Sequence, residues 1–232
     1  MSRREELATG LAAVRDRIAR ATAAAGRAPE EVSLVVVTKY FPASDVRLLA
    51  ELGVVDVGEN RHQEAEAKAA DCADLALRWH YIGGLQSNKA AAVARYADVV
   101  ESVDRAKLVA PLARGAADRP TPLPVLLQVS LDPLDRPGRA GADPGDLSAL
   151  AATVLEHPAL HLAGLMAVAP LGEDPSAAFA RLAEVRAGFL AEHPSAGLLS
   201  AGMSGDLEAA VAHGATHVRV GSAVLGPRPV IQ

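Results

Sequence analysis

Val32-Ser33-Leu34-Val35-Val36-Val37-Thr38-Lys39 is the stretch on which the reading of this chain turns. It is apolar and β-branched, the composition of a buried strand, and it closes on a lysine. An amine drawn into an apolar interior gives up its proton more easily, which equips it to form an imine with an aldehyde. A lysine at a strand end can also snorkel to solvent. The stretch alone leaves both roles open.

The same alternation of apolar runs and helical patterns continues on both sides. Leu7, Leu11, Val14 and Ile18 mark a helix over 3 to about 25, ended by Gly26 and Pro29. After the strand at 32–39, a helix is expected over 44–52. Further strands are expected over 54–58, 79–82, 97–101, 123–130, 160–168, 197–201 and 216–220. Helices should start near 61, 86, 104 and 206, with a long one over 175–192. Strands alternating with helices imply parallel pairing through crossovers. The expected fold class is α/β, a closed (β/α)8 TIM barrel over 1–232 with an N-terminal helix, read as one domain. An open doubly wound sheet is the alternative. Against it, no strand is followed by a GxGxxG turn. Residues 132–146 form a long Pro- and Gly-rich loop after the fifth strand.

Composition narrows the function classes. Half of the 232 residues are hydrophobic and 3% are aromatic, so the core is mostly Ala, Val and Leu. A net charge of −5 with scattered arginines argues against nucleic acid as a partner. No apolar run approaches the roughly 20 residues of a membrane span. The lone Cys72 excludes an intrachain disulfide framework and suits a reducing cytoplasm. The N-terminus reads as neither a signal nor a transit peptide.

Barrels gather ligand groups at the C-terminal ends of their strands. Here those ends carry Lys39, Gly58-Glu59-Asn60, Gly83-Gly84-Leu85-Gln86-Ser87-Asn88-Lys89, Ser200-Ala201-Gly202-Met203-Ser204-Gly205-Asp206 and Arg219-Val220-Gly221-Ser222. The loops after strands 7 and 8 are the usual phosphate site of this fold. Gly202, Ser204 and Gly205 precede a helix start, where free N–H groups favour anions. Gly221 and Ser222 add approachable backbone. Ser204 can instead cap the helix. Arg219 lies between Val218 and Val220, so if the valines face the helices the guanidinium faces the barrel mouth, where it needs an anion or strong acceptor. Asn60 can bind a ligand oxygen or cap the next helix, and Glu59 can join a charge network in the mouth. His80 can face the barrel mouth, but reads more naturally as a packed interior histidine. His157/His161 and His213/His217 lack metal-site spacing, and no GxSxG elbow surrounds Ser200 or Ser204.

Five ordered motifs carry a family resemblance from about residue 7 to 228: Val37-Thr38-Lys39, Gly58-Glu59-Asn60-Arg61, Trp79 to Lys89, Leu199 to Asp206, and Val218 to Ala223. The chain resembles the pyridoxal phosphate homeostasis proteins of the YggS/PROSC type. The resemblance implies a fold-type III barrel like the N-terminal domain of alanine racemase, standing alone. It implies pyridoxal 5′-phosphate (PLP) held as an imine on Lys39, its phosphate on Ser204, Gly221 and Ser222, and its pyridine nitrogen against Arg219. Members of this family are PLP carriers without an established catalytic activity. The partners expected are therefore PLP and the PLP-dependent apoenzymes that receive it, with the protein a cytoplasmic monomer touching neither nucleic acid nor membrane. No metal is expected.

Three departures stand out. Many members have histidine at Gly84, threonine at Ser222 and phenylalanine at Leu225. The 132–146 loop also lacks the usual lysine, so no role is carried over to it. A PLP-dependent racemase is the alternative function, but it calls for a second domain supplying a tyrosine, for which this length leaves no room. Barrel logic alone would also allow a lysine-imine aldolase.

Overall fold

The computed structural model describes residues 1–132 and 141–227. The strand segments pair in parallel and close on themselves: β1 (Ser33–Val37), β2 (Asp56–Glu59), β3 (Arg78–Tyr81), β4 (Val99–Val103), β5 (Leu123–Val129), β6 (Leu160–Ala167), β7 (Leu198–Ser200) and β8 (His217–Val220) form a closed barrel in that order. Closure is made by β8 on β1, with Val35 beside Arg219 and Val36 beside Val220. The crossovers carry α2 (Ala43–Glu51), α3 (His62–Asp71), α4 (Ser87–Tyr96), α5 (Val109–Gly115), α6 (Leu147–Leu155), α7 (Pro175–Glu192) and α8 (Leu207–Ala212), and α9 (Ser222–Leu225) follows β8. The fold is the expected TIM barrel.

Before the barrel comes α1 (Arg3–Ala24), opened by a Ser2/Glu5 capping box and closed before Gly26 at φ +66°. Its Leu7, Leu11, Val14 and Ile18 are buried together with Val218 and Val220 of β8. Those valines therefore face the helix layer, and strand alternation turns Arg219 to the inside. On the other side of the barrel, Val100, Val125 and Leu165 pack with Leu112, Leu150 and Leu182 of the surrounding helices. The barrel interior is unusually polar, with Asp56, His80, Glu101, Ser200 and Arg219 all buried.

Several boundaries differ from the sequence reading. β1 ends at Val37, two residues short of Lys39, because the chain turns at 38–41. β4 runs two residues later than expected, and β2 starts two later and ends one later, since their pairing partners on β1, β3 and β5 set the register. A 3-10 turn, Ala106–Leu108, precedes α5. α6 and the short α9 have no counterpart in the sequence reading. Of the 132–146 loop, residues 133–140 lie outside the described residues. Its far end returns to β5, where Ala142 donates to the Gln128 carbonyl at 2.7 Å and accepts from Ser130 at 2.9 Å. No helix among the described residues is long and apolar enough to cross a membrane.

Candidate functional site

Lys39 sits in a turn rather than on the strand. Thr38 donates its N–H to Gly58, and Phe41 donates to the Thr38 carbonyl at 3.1 Å, so the chain reverses over 38–41. Tyr40, the third residue of that turn, has φ +72°, a left-handed conformation that a bulky side chain rarely takes. Such strain costs of order 1–3 kcal/mol and persists only where neighbours over-determine it. Here Glu64 Oε1 accepts the Tyr40 N–H at 2.6 Å, and the Arg61 guanidinium lies 4.9 Å from the Tyr40 ring centre. Lys68 Nζ donates to the Thr38 carbonyl at 2.8 Å, to Glu59 Oε1 at 2.7 Å and to Glu64 Oε1 at 2.6 Å. Thr38 Oγ1 adds a bond to Glu59 Oε1 at 2.7 Å. Glu59 thus joins a charge network, but one that supports the turn from within. Burial pushes its carboxyl upward, and the Lys68 ammonium pulls the other way.

A cavity of about 260 Å³ opens at the barrel mouth beside this turn. Lys39, Tyr40, Ser204, Arg219, Gly221 and Ser222 are among its lining residues. Lys39 is half-buried and makes no hydrogen bond or ion pair among the described residues. The loops after β7 and β8 meet at the other residues: Ser222 Oγ lies 3.4 Å from Ser204 Oγ. Gly221 is packed so closely on β1 that a Cβ there would lie 3.1 Å from the Val37 carbonyl oxygen. Gly202, at φ +90°, could not carry a side chain, since a Cβ would meet that of Ala210 at 2.6 Å. Ser204 does not cap α8. The cap position is Asp206, whose Oδ1 accepts the Met203 N–H at 2.5 Å. The Ser204 hydroxyl is therefore left to the cavity.

Arg219 is aimed by a buried chain of polar groups. Its Nη1 donates to Ser200 Oγ at 2.6 Å and its Nη2 to the Ala167 carbonyl at 2.8 Å. Ser200 Oγ donates onward to Glu101 Oε2 at 2.6 Å. Glu101 Oε1 faces His80 Nδ1 at 2.7 Å, and His80 Nε2 faces Asp56 Oδ1 at 3.0 Å. Arg78 closes the chain with two bonds to Asp56, at 2.7 and 2.8 Å. Burial opposes charge on His80, but the two carboxylates outweigh it and hold the imidazole up to about 9. Burial likewise opposes charge on Glu101, yet His80, Arg219 and Ser200 hold it down to about 2. Asp56 is held at about 2 in the same way by His80 and Arg78.

The structure thus brings together five of the six residues expected at the site: Lys39, Ser204, Arg219, Gly221 and Ser222. Asn60 stands apart from the lining set. It does not cap α3, whose cap position is Arg61. Its Oδ1 is buried without a hydrogen-bond partner among the described residues. Sequence reasoning missed Glu101 and Asp56 as supports of Arg219, and saw His80 only as packing. A polar residue inside an otherwise apolar strand, as in Val99-Val100-Glu101, was the available signal.

The donor set suits an aldehyde that also carries an anion and an aromatic nitrogen. The Lys39 amine meets the first, two hydroxyls and a side-chain-free backbone meet the second, and a fixed guanidinium meets the third. PLP has all three features, so the residues present fit it.

The family described as alanine racemase, N-terminal domain, matches residues 10–229. The chain is 44% identical over 241 residues to the pyridoxal phosphate homeostasis protein of Mycobacterium leprae, covering 97% of this chain and 94% of that one. Among solved structures, PipY of Synechococcus elongatus with PLP bound superposes with a TM-score of 0.82 at 37% identity, covering 95% of this chain and all of that one. An alanine racemase from Clostridium difficile shares the fold, with a TM-score of 0.72 at 13% identity over 58% of its length.

Proposed function

This chain belongs to the alanine racemase N-terminal-domain family and, within it, to the pyridoxal phosphate homeostasis proteins, and from that premise we infer that it binds PLP in the mouth cavity and carries or buffers it rather than using it in catalysis. The observation that carries this reading is an amine without a hydrogen-bond or ion-pair partner among the described residues, Lys39, in one cavity with Arg219 and the two hydroxyl-bearing loops.

Lys39 holds the cofactor covalently through its aldehyde carbon. Ser204, Ser222 and the Gly221 backbone hold the phosphate. Arg219 donates a hydrogen bond to the ring nitrogen. When bound, PLP supplies an electron sink whose strength depends on protonation of that nitrogen. A guanidinium stays protonated at any working pH and is a poor acid, so Arg219 leaves the nitrogen unprotonated and the sink weak. That property favours a carrier. Recipients would be PLP-dependent apoenzymes, and the buried free thiol of Cys72 is compatible with a monomer working in the cytoplasm.

The test is an absorption spectrum of freshly purified protein, then borohydride reduction and peptide mapping. The cofactor mass should appear on the Lys39 peptide. An adduct on Lys89 instead, or none in protein saturated with PLP, overturns the assignment. Loss of α-deuterium from amino acids on the order of once per second or faster would favour the racemase reading.

A further inference from the structure

The mouth cavity ends at Arg219, but the polar chain behind it does not. Glu101, His80 and Asp56 come from three different strands, β4, β3 and β2, and run across the barrel interior to Arg78, whose side chain is 56% exposed. Filling a barrel core with three ionised groups is costly, because apolar side chains of like volume pack as well without the loss of hydration. A fully satisfied buried network earns its place by fixing one arrangement of its members.

The arrangement fixed here is that of Arg219. A guanidinium at the cavity wall has five N–H donors in a rigid plane, so two bonds suffice to set its orientation. The Ala167 carbonyl provides one anchor and Ser200 Oγ the other. Ser200 can accept from Arg219 only with its own hydroxyl hydrogen turned elsewhere, and it donates that hydrogen bond to Glu101 Oε2, 2.6 Å away. Glu101 is in turn held by His80, which donates from both ring nitrogens when protonated, to Glu101 on one side and Asp56 on the other. His217 is the remaining ring nearby, tilted at 6.2 Å between centres. Glu101 Oε2 also lies 3.8 Å from Arg219 Nη1, so it balances the guanidinium charge as well as orienting Ser200.

We propose that Ser200, Glu101 and His80 are positioning residues for the cofactor: through Ser200, Glu101 holds Arg219 turned to the ring-nitrogen end of the cavity, and His80 holds Glu101. This rests on the reading that Arg219 meets the pyridine nitrogen of PLP.

Ser200→Ala is the principal variant, since it deletes one buried hydroxyl and leaves every charge in place. Glu101→Gln and Arg219→Gln accompany it, with the double variant Ser200→Ala/Arg219→Gln. All are loaded with PLP, and trapping on Lys39 is checked by borohydride. Ser200→Ala should weaken PLP binding by roughly tenfold, the scale of one hydrogen bond to a charged group. It should also move the visible absorption band in the direction that Arg219→Gln moves it. The double variant should look like Arg219→Gln alone, because residues acting through one contact are not additive. In protein stripped of cofactor, the Arg219 side-chain Nε–H resonance should lose its ordered signature in Ser200→Ala. A Ser200→Ala protein with unchanged band and unchanged Arg219 resonance overturns the proposal, as does a double variant whose effects simply add. An Arg219→Gln protein with a normal band, still trapped on Lys39, overturns it differently, by removing Arg219 from the ring nitrogen while leaving PLP binding intact.

Discussion

The Lys68 ammonium lies 2.7 Å from Glu59 Oε1 in the buried layer that supports the Lys39 turn. Both side chains are under a tenth exposed, and the other Glu59 oxygen has no hydrogen-bond partner among the described residues. Removing one member of such a pair strands the other charge. Lys68→Met should therefore destabilise the fold by about 3–5 kcal/mol in denaturant titrations. Glu59→Gln in the same background should recover part of the loss by removing the stranded carboxylate. A drop of less than about 1 kcal/mol for the single variant would mean that water reaches Glu59.

The Asp56–His80–Glu101 chain sets a pH window for stability. His80 has its imidazole raised from 6.5 to about 9, so its contribution is complete below 6.5 and is lost as pH rises through 9. Asp56 and Glu101 are depressed from 3.8 and 4.5 to about 2, so theirs is complete above those ordinary values and is lost as pH falls towards 2. The three act together between about 4.5 and 6.5. His80→Gln should flatten the decline between 6.5 and 9 and move the acid limb upward, because the cation that the two buried carboxylates share is gone and each keeps only its arginine, Arg78 for Asp56 and Arg219 for Glu101. Denaturation midpoints across pH check this, and an unchanged alkaline limb would count against a protonated His80.

Gly83 and Gly84 look alike in sequence and differ in space. A Cβ on Gly83 would lie 2.1 Å from the Asn60 backbone oxygen, whereas one on Gly84 would meet nothing within 4 Å. Gly83→Ala should cost more than about 2 kcal/mol, and Gly84→Ala should stay within about 0.5 kcal/mol. Thermal melts of the two proteins side by side provide the comparison.

Much of this was legible from local pattern. Eight short, mostly apolar runs alternating with helical patterns marked the strands, and the valines flanking Arg219 marked its direction, since alternation is a property of the strand itself. What the sequence could not supply was register. His80 pairs with Gly58 on one side and Val99 on the other, so Asp56 and Glu101 each sit two positions along a neighbouring strand. That offset exists only once the barrel closes, and the histidine therefore read as mere packing. The strand expected at 32–39 exceeds β1 for a similar reason. Nothing in Thr38-Lys39-Tyr40 announces a turn, because the left-handed Tyr40 is stabilised by Glu64 from another element. α6 buries Leu147, Leu150, Ala151 and Val154 of an almost wholly apolar segment, in which little polar contrast marks out the helical face.

The two hydroxyls at the mouth should discriminate between ligands. Ser204→Ala with Ser222→Ala removes partners that only a phosphate would use. The double variant should lose PLP affinity by roughly 1.5–3 kcal/mol per hydrogen bond while binding of pyridoxal changes little. Equal losses for both ligands would indicate general damage to the loops. Titration by absorbance or fluorescence distinguishes the outcomes.

Arg219→Glu is the natural way to strengthen the electron sink, since a carboxylic acid can share a proton with the ring nitrogen where a guanidinium does not. The surroundings of Arg219 complicate it. Glu101 Oε2 lies 3.8 Å from the Arg219 Nη1 position, so the single substitution removes the buried cation and sets a second carboxylate beside the first. Two buried like charges at that separation cannot both stay ionised cheaply, and the single variant should lose about 3–5 kcal/mol of stability. Pairing it with Glu101→Gln removes the repulsion and keeps a hydrogen-bonding side chain against Ser200 and His80. The double variant Arg219→Glu/Glu101→Gln should recover most of the lost stability and still trap PLP on Lys39. It should then transaminate amino acids slowly, but faster than the parent protein. Keto-acid formation measured alongside a denaturation curve checks both halves. Recovered stability without new reactivity would show that Arg219 is not what keeps the cofactor quiet.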